Sequence, residues 1–178
     1  MKTIVAAVVG SLLLSTSALA ADPAPAMDLT KMGPVLRKPT QEKKTKEEVE
    51  TFIKAGEAVE KSGDFEAGLS RIDFPLFMAT DSVKGGVPEG RLYSKEEYVA
   101  LMKPMMGAMP KDLKTTHKPT LLVMSDSLVG VNDEWTMAQG KTKVSGRNFS
   151  LVVKREGAWK YKTLVEAGWG GATAAVKH

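Results

Sequence analysis

Residues 149–170 read FSLVVKREGAWKYKTLVEAGWG, which is two apolar runs joined by a turn signal. Both runs are rich in β-branched and aromatic residues, which favour β-strands. Between them, Arg155-Glu156-Gly157 fits a three-residue hairpin loop whose glycine takes the left-handed conformation. Such a loop sets apolar residues opposite each other, with Val153 facing Trp159. The stretch therefore predicts the last hairpin of an antiparallel sheet.

Four consecutive strands are predicted in the C-terminal half of the chain. Each shows the alternating or continuous apolar pattern of a strand in a sheet. Asp126 and Gln139-Gly140-Lys141 mark the first two turns. The predicted strands are Thr120–Met124, Ser127–Ala138, Val144–Lys154 and Ala158–Ala167. Because the turns between them are short, they predict an antiparallel meander.

The segment before the meander has mixed helix and strand signals. Thr45-x-x-Glu48 is a capping-box pattern that predicts the start of a first helix, and Ser62-Gly63-Asp64 predicts its end. A short second helix is predicted over residues 65–72. Residues 74–83 then favour a strand, and residues 87–93 favour a short edge strand.

A third helix is predicted from a second capping box, Ser94-x-x-Glu97. It carries 102-MKPMMGAM-109, four methionines in eight residues, and Pro104 predicts a kink or an end. A copper(I) site is one interpretation, because thioethers suit that ion. We favour the apolar face of a helix, because two further apolar residues continue the same stripe. The stripe consists of Tyr98, Leu101, Met102, Met105, Met106 and Met109.

Residues 1–20 have the form of a secretory signal peptide. Lys2 supplies the positive charge, residues 4–14 the apolar core, and 18-ALA-20 the small residues before a cleavage site. We therefore predict that the mature chain begins at Ala21 and is exported, to the periplasm or out of the cell. No later stretch is long and apolar enough to predict a transmembrane segment.

The mature chain is predicted to have three parts: a proline- and lysine-rich linker over residues 21–44, a domain over 45–171 and a tail over 172–178. Residues 22–46 hold six Lys or Arg against three Asp or Glu, whereas residues 47–178 hold 18 of each. The basic character of the chain therefore belongs to the linker. A nucleic-acid-binding domain carries its positive charge on a folded face, so the composition predicts no nucleic-acid partner.

The residue types present also exclude several classes of site. The chain has no cysteine and two histidines, which excludes a disulfide framework and disfavours a structural zinc site. It has no phosphate loop, no dinucleotide fingerprint and no Gly-x-Ser-x-Gly motif. We therefore predict no metal and no cofactor, and we do not expect nucleophilic hydrolysis.

The order of the predicted elements and three stretches of sequence resemble one superfamily. The first two stretches are 73-DFPLFMATDS-82 and 90-GRLYSKEEYVALM-102. The third is the final hairpin, where the family phrase V-x-K-R-x-G-x-W-K is matched by Lys154, Arg155, Gly157, Trp159 and Lys160. Over about residues 45–171 the chain resembles the nuclear-transport-factor-2-like superfamily, and within it the SnoaL-like exported proteins of bacteria.

This resemblance implies an α+β fold, in which a cone-shaped, curved antiparallel sheet wraps round three helices and leaves a cavity between them. Such relatives include isomerases, dehydratases, cyclases and proteins that only bind, and some dimerise through the outer face of the sheet. Their catalytic residues share no signature. The resemblance therefore implies a pocket and assigns no catalytic role to any residue of this chain.

Asp133 is the main candidate for chemistry, because it lies on the apolar face of a predicted strand between Val131 and Trp135. A turn centred on Gly140 would set Asp133 opposite Arg147. Three interpretations stay open. Asp133 is a general base or ligand anchor in the cavity, a structural ion pair with Arg147, or part of a bulge that turns its carboxylate out to solvent.

Other residues are candidates for the wall of the cavity. Tyr93 and Tyr98 would donate hydrogen bonds to a ligand, or would be half-buried core residues. Trp169 would cover the cavity or hold the C-terminus in place. His117 is predicted to lie in an exposed loop before a proline. The predicted ligand-binding residues are Tyr93, Tyr98, Met102, Trp135, Arg147 and Trp169.

Three functions are consistent with the sequence. The first is the binding of a small apolar or amphipathic molecule between sheet and helices. The second is acid–base isomerase or dehydratase activity, with Asp133 as the proton-transfer group and Tyr93 or Tyr98 polarising an oxygen atom. The third is a homodimeric interaction protein whose cavity is filled by its own side chains.

Overall fold

The computed structural model describes residues 28, 38–81, 88–107, 110 and 112–168. The chain divides into two units, residues 1–36 and 37–178, and the described residues from 38 onward all belong to the second. The predicted signal peptide, most of the predicted linker and the predicted tail lie outside the described residues. Among those described, no helix combines the length and the apolar character that crossing a membrane requires.

The described residues form three helices and six strands. The helices are α1 (Glu42–Ser62), α2 (Phe65–Ser70) and α3 (Lys95–Gly107). The strands are β1 (Ile72–Thr80), β2 (Glu89–Tyr93), β3 (Lys114–Ser125), β4 (Leu128–Gln139), β5 (Thr142–Arg155) and β6 (Ala158–Glu166). The strands make one curved sheet in the order β2-β1-β6-β5-β4-β3, with β1 and β6 parallel and all other neighbours antiparallel. The predicted α+β fold is confirmed, with one parallel pair in a sheet that we expected to be wholly antiparallel.

The start of α1 differs from the prediction. The helix begins at Glu42, and Thr45 is a buried residue within it, so the predicted capping box at Thr45 is wrong. The segment entering the helix is held instead by Asp126, from the turn between β3 and β4. Its carboxylate accepts hydrogen bonds from the backbone N–H of Thr40 (3.0 Å) and Gln41 (2.9 Å), and from the Thr40 hydroxyl.

The other helix ends follow local signals. Gly63 ends α1, as predicted, and it takes the left-handed conformation. Asp64 then caps α2 by accepting a hydrogen bond from the N–H of Ala67. The second capping box is confirmed, because Ser94 and Glu97 each receive a hydrogen bond from the backbone N–H of the other, at 3.2 Å and 2.8 Å.

The last hairpin has a shorter loop than predicted. Its loop contains only Glu156 (φ 50°) and Gly157 (φ 84°), the two left-handed residues of a tight hairpin turn. Trp159 therefore pairs with Lys154. The predicted pairing of Val153 with Trp159 is therefore wrong by one residue. The sequence around Gly157 is compatible with a loop of either two or three residues, and the two lengths give pairings that differ by one residue.

Strand β3 begins six residues before its predicted start, at Lys114, and includes Pro119. It lies at the edge of the sheet, where a proline costs no hydrogen bond to a neighbouring strand. Its residues alternate between the exposed outer face and the half-buried inner face. His117 therefore lies on the inner face of a strand, and its predicted place in an exposed loop is wrong.

The core lies where α1 packs against the inner face of the sheet. Its centre is formed by Val49, Ile53, Val129, Val131, Val152 and Trp159. Helix α3 continues past Pro104 to Gly107, and its Leu101 is buried. Met109, the last residue of the predicted methionine stripe, lies outside the described residues.

Candidate functional site

A cavity of about 280 Å³ lies between the three helices and the inner face of the sheet. Most of its wall is apolar. Each helix contributes, through residues such as Ile53 of α1, Leu69 of α2 and Met102 of α3, while Val131 and Leu164 line the sheet side. Polar side chains reach the same cavity from four elements, through Glu60 of α1, His117 of β3, Asp133 of β4 and Tyr161 of β6, and from the junction between α2 and β1, through Arg71.

His117 is held between two carboxylates. Its Nδ1 lies 2.6 Å from Oδ2 of Asp133, on the neighbouring strand, and its Nε2 lies 3.2 Å from Oε2 of Glu60, on α1. Asp133 is 7% exposed, and its second oxygen accepts a hydrogen bond from the backbone N–H of Lys118. Three side chains from α1, β3 and β4 therefore form one ionic cluster in the wall of the cavity.

This arrangement sets the charge of His117. Hydrogen bonding to Glu60, together with the hydrogen bond and the charge of Asp133, raises the pKa of His117 from 6.5 to about 9, although partial burial opposes the shift. The hydrogen bond from His117 lowers the pKa of Glu60. At neutral pH the cluster is therefore an imidazolium between two carboxylates.

The predicted pairing of Asp133 with Arg147 is wrong. The β4–β5 turn is formed by Gly140 and Lys141, which puts Asn148 opposite Asp133. Arg147 pairs instead with Glu134, at 3.1 Å, and its side chain is 77% exposed. Because a shift of one residue moves a side chain to the other face, Arg147 lies away from the cavity. The carboxylate of Asp133 points inward, so neither the ion pair with Arg147 nor the solvent-facing bulge is found.

A second polar group is formed by Arg71 and Tyr161. The guanidinium of Arg71 lies 4.0 Å above the ring of Phe52 and donates a hydrogen bond of 2.5 Å to the Phe52 carbonyl. The backbone N–H of Tyr161 donates to the Arg71 carbonyl at 2.8 Å, and both side chains line the cavity. Gly56 makes room for the guanidinium, since a Cβ atom there would lie 2.8 Å from Nη2. Burial raises the pKa of Tyr161 and lowers that of Arg71.

No protein-family model and no curated protein sequence matches the chain. Solved structures do match it. An NTF-2-like protein of unknown function from Shewanella oneidensis aligns with a TM-score of 0.54 and 20% identity, over 68% of this chain and 98% of its own. The association domain of Caenorhabditis elegans CaMKII aligns with a TM-score of 0.55 and 13% identity, over 70% of this chain and 96% of its own.

The chain has the nuclear-transport-factor-2-like fold. A scytalone dehydratase-like protein from Novosphingobium aromaticivorans shares it, with a TM-score of 0.53 and 12% identity, over 67% of this chain and 80% of its own. Proteins of such different kinds share the fold, so the function of this chain has to be argued from its own cavity.

The nuclear-transport-factor-2-like fold brings some of the predicted ligand-binding residues to the cavity. Tyr98 and Met102 line it from α3. The Tyr98 ring packs edge-on against Phe74 at 5.7 Å, and burial raises the pKa of its phenol. Tyr93 is buried beneath the guanidinium of Arg91, and the described wall of the cavity does not include it.

Of the two predicted tryptophans, Trp135 does not line the described cavity. Trp135 shares the inner face of β4 with Asp133, but its ring covers Gly146 of β5, where a Cβ atom would lie only 2.3 Å from Cζ2. Trp169 lies outside the described residues. The aromatic wall of this nuclear-transport-factor-2-like cavity is supplied instead by Phe65, Tyr98 and Tyr161.

Four residues of the cavity were not predicted as site residues: Glu60, Arg71, His117 and Tyr161. One signal was present, because Val49, Ile53, Gly56 and Glu60 follow one face of α1 at steps of four, three and four residues. A glycine and a glutamate at the end of an apolar stripe mark the point where the helix passes a polar cavity. Although the cluster contains metal-binding residue types, no group of three or more such side chains in the described part of the chain is arranged to hold a metal ion.

Proposed function

We propose that this protein binds a small, mostly apolar molecule in the cavity between its helices and its sheet. The observation that carries the proposal is an open cavity with apolar walls and a few convergent polar side chains, which is the usual composition of a ligand site. Its volume of about 280 Å³ is at the small end for such sites, so the ligand is small. The open volume also argues against a cavity filled by its own side chains.

Native mass spectrometry of protein purified gently from its own host tests this proposal. We expect a bound small molecule on the wild-type protein. Met102→Trp fills the cavity and should remove the molecule, because Met102 lines the wall. Met124→Trp is the matched control, since Met124 is exposed on the outer face of β3. Retention of the molecule by Met102→Trp, or its absence from the wild type, would contradict the proposal.

A second candidate function is acid–base catalysis of the isomerase or dehydratase type. The contact of 2.6 Å between His117 and Asp133 in a largely apolar cavity favours it. Asp133 would take a proton from carbon as the base, and the His117 imidazolium would give a proton to the departing hydroxyl group, which leaves as water. Tyr98 would polarise an oxygen atom of the substrate, because its phenol reaches the same cavity.

Solvent deuterium separates the two functions. An enzyme that removes a proton from carbon exchanges that position with D2O, and the bound molecule gains mass. If the second function holds, the wild type shows this exchange and Asp133→Asn loses it, with unchanged binding. A molecule that stays bound without exchange in the wild type identifies the protein as a binder.

We also propose that the protein is exported as a mature chain beginning at Ala21. The support is the charged, apolar and small-residue pattern of residues 1–20. Cell fractionation and N-terminal sequencing of the protein from its host test this. Recovery of an intact Met1 in the cytoplasm would contradict it.

Homodimerisation through the outer face of the sheet is a further part of the proposal. Leu122, Met124 and Phe149 are exposed there, and neighbours of the same fold include association domains. Light scattering after size-exclusion chromatography should give the mass of two chains for the wild type and the mass of one chain for Phe149→Lys. Lys143→Glu, which changes charge elsewhere on β5, is the control. A monomeric wild type would contradict dimerisation and leave the ligand-binding proposal standing.

A further inference from the structure

Among the described residues, six charged side chains line the cavity: the acids Glu57, Glu60, Asp64 and Asp133, and the bases Arg71 and His117. The imidazolium of His117 contacts both Glu60 and Asp133. Asp64, at the mouth of the same cavity, accepts a hydrogen bond from the N–H of Ala67. Each of these three carboxylates therefore has a donor within the protein.

Arg71 is different. Within the described residues its guanidinium makes no ion pair, and its hydrogen-bond partner is the neutral carbonyl of Phe52. A half-buried cation that meets only neutral partners is costly unless a negative charge is supplied. That charge can come from the cavity, since Arg71 and Tyr161 both line it.

The position of the guanidinium is fixed by its surroundings. The Phe52 ring lies beneath it at 4.0 Å. Gly56 has no Cβ atom, and this leaves room for Nη2 of Arg71. The Phe52 carbonyl needs only one of the five N–H groups of the guanidinium. The remaining N–H groups and the phenol of Tyr161, which lines the same cavity, are available as donors to a ligand.

We propose that Arg71 and Tyr161 bind the carboxylate of a small organic acid whose apolar part occupies the rest of the cavity. Arginine presents a planar pair of N–H groups that matches the two oxygens of a carboxylate. This inference rests on the proposed ligand-binding function and names the chemical class of its ligand. Glu60 and Asp133 both contact His117, so Arg71 is the cation of this cavity that no described carboxylate contacts.

The experiment compares two probes with one carbon skeleton, phenylacetate and 2-phenylethanol, at pH 7. Dissociation constants are measured by amide NMR titration of the full-length mature protein, with Gly56 and Tyr161 as reporters. We expect phenylacetate to bind at least about tenfold more tightly than the alcohol, since a hydrogen bond to a charged group adds roughly that much. Arg71→Met should remove this preference.

Arg147→Met is the matched control, because it removes an arginine whose side chain is 77% exposed away from the cavity. Its preference for the acid should equal that of the wild type. Gly56→Ala gives a second variant in case Arg71→Met does not fold. It keeps the charge but displaces Nη2, so it should reduce the preference severalfold.

Equal binding of the two probes, or an acid preference that survives both Arg71→Met and Gly56→Ala, overturns the carboxylate site and leaves the ligand-binding function intact. If both probes shift only the amide signals of residues outside the cavity, both proposals are overturned. A preference for the acid that is lost on Arg71→Met and kept on Arg147→Met supports both.

Discussion

The Nδ1 atom of His117 and the Oδ2 atom of Asp133 lie 2.6 Å apart, on a diagonal between neighbouring strands. Asp133 is directly opposite Pro119, and His117 is opposite Trp135. Glu60 contacts the other ring nitrogen of His117 from α1. The imidazole thus joins the first helix to the edge of the sheet, and its charge affects both stability and any chemistry in the cavity.

We predict that the stability of the protein falls as the pH rises through the pKa of His117. This pKa is raised from 6.5 to about 9 in the folded protein. A raised pKa means that the folded state binds the proton more tightly, so the stabilisation is complete below about pH 6.5 and is lost as the pH approaches 9 and above. Denaturant unfolding at pH 6.5 and pH 9.5 should show an extra loss of about 1 kcal/mol relative to His117→Gln, after solvent screening.

NMR titration of the imidazole protons checks the same point directly, because the chain has only two histidines. A His117 pKa near its ordinary value, or a loss of stability over this range that is equal in wild type and His117→Gln, would contradict the prediction.

We predict that Asp133→Asn destabilises the protein by about 1–3 kcal/mol, because it weakens a buried charged hydrogen bond. It should also lower the pKa of His117, since Asp133 is one of the two groups that raise it. Equilibrium denaturation and imidazole titration measure the two effects. Glu134→Gln is the matched control on the outer face of the same strand, and its exposed pair with Arg147 should change stability by less than about 0.5 kcal/mol. Equal effects of the two substitutions would show that the inward position of Asp133 is wrong.

We predict that Asp126→Ala loosens the start of α1 and lowers the melting temperature. Asp126 accepts hydrogen bonds from the backbone N–H of both Thr40 and Gln41, which have no local side-chain cap. Amide exchange should accelerate in the first turns of α1 before it does elsewhere. Asp112→Ala serves as the control, because among the described residues Asp112 accepts a hydrogen bond from the side chain of Gln139 and none from α1. Unchanged exchange in the first turns of α1 would mean that the turn does not hold the helix.

The elements whose signals are local were predicted from the sequence. The capping box at Ser94 and Glu97, the end of α1 at Gly63 and the edge strand β2 all depend on residues a few positions apart. The position of Asp133 on the inner face of β4 was also predicted, because the alternation of side chains along a strand is a local property.

The rest of the site depends on distant residues and on register. His117 meets Glu60 across 57 positions of sequence, and Asp126 meets Thr40 across 86. Pro119 made the strand before it resemble a loop, although an edge strand tolerates proline. A turn of two residues, where three were expected, moved Arg147 to the opposite face of the sheet. None of these facts has a signal within a single segment.

We predict that Gly146→Ala destabilises the protein and disturbs the ring of Trp135. An added Cβ atom would lie 2.3 Å from Cζ2 of that ring, and the ring packs on the inner face of the sheet beside His117. Overpacking of this kind costs about 1–3 kcal/mol, because side chains must leave their preferred rotamers. Gly130→Ala is the matched control on the neighbouring strand, where the added atom would lie 3.2 Å from the exposed ring of Phe149, which can move aside. Denaturant unfolding followed by tryptophan fluorescence measures both. If Gly146→Ala costs no more than Gly130→Ala, the ring of Trp135 does not cover β5 as described.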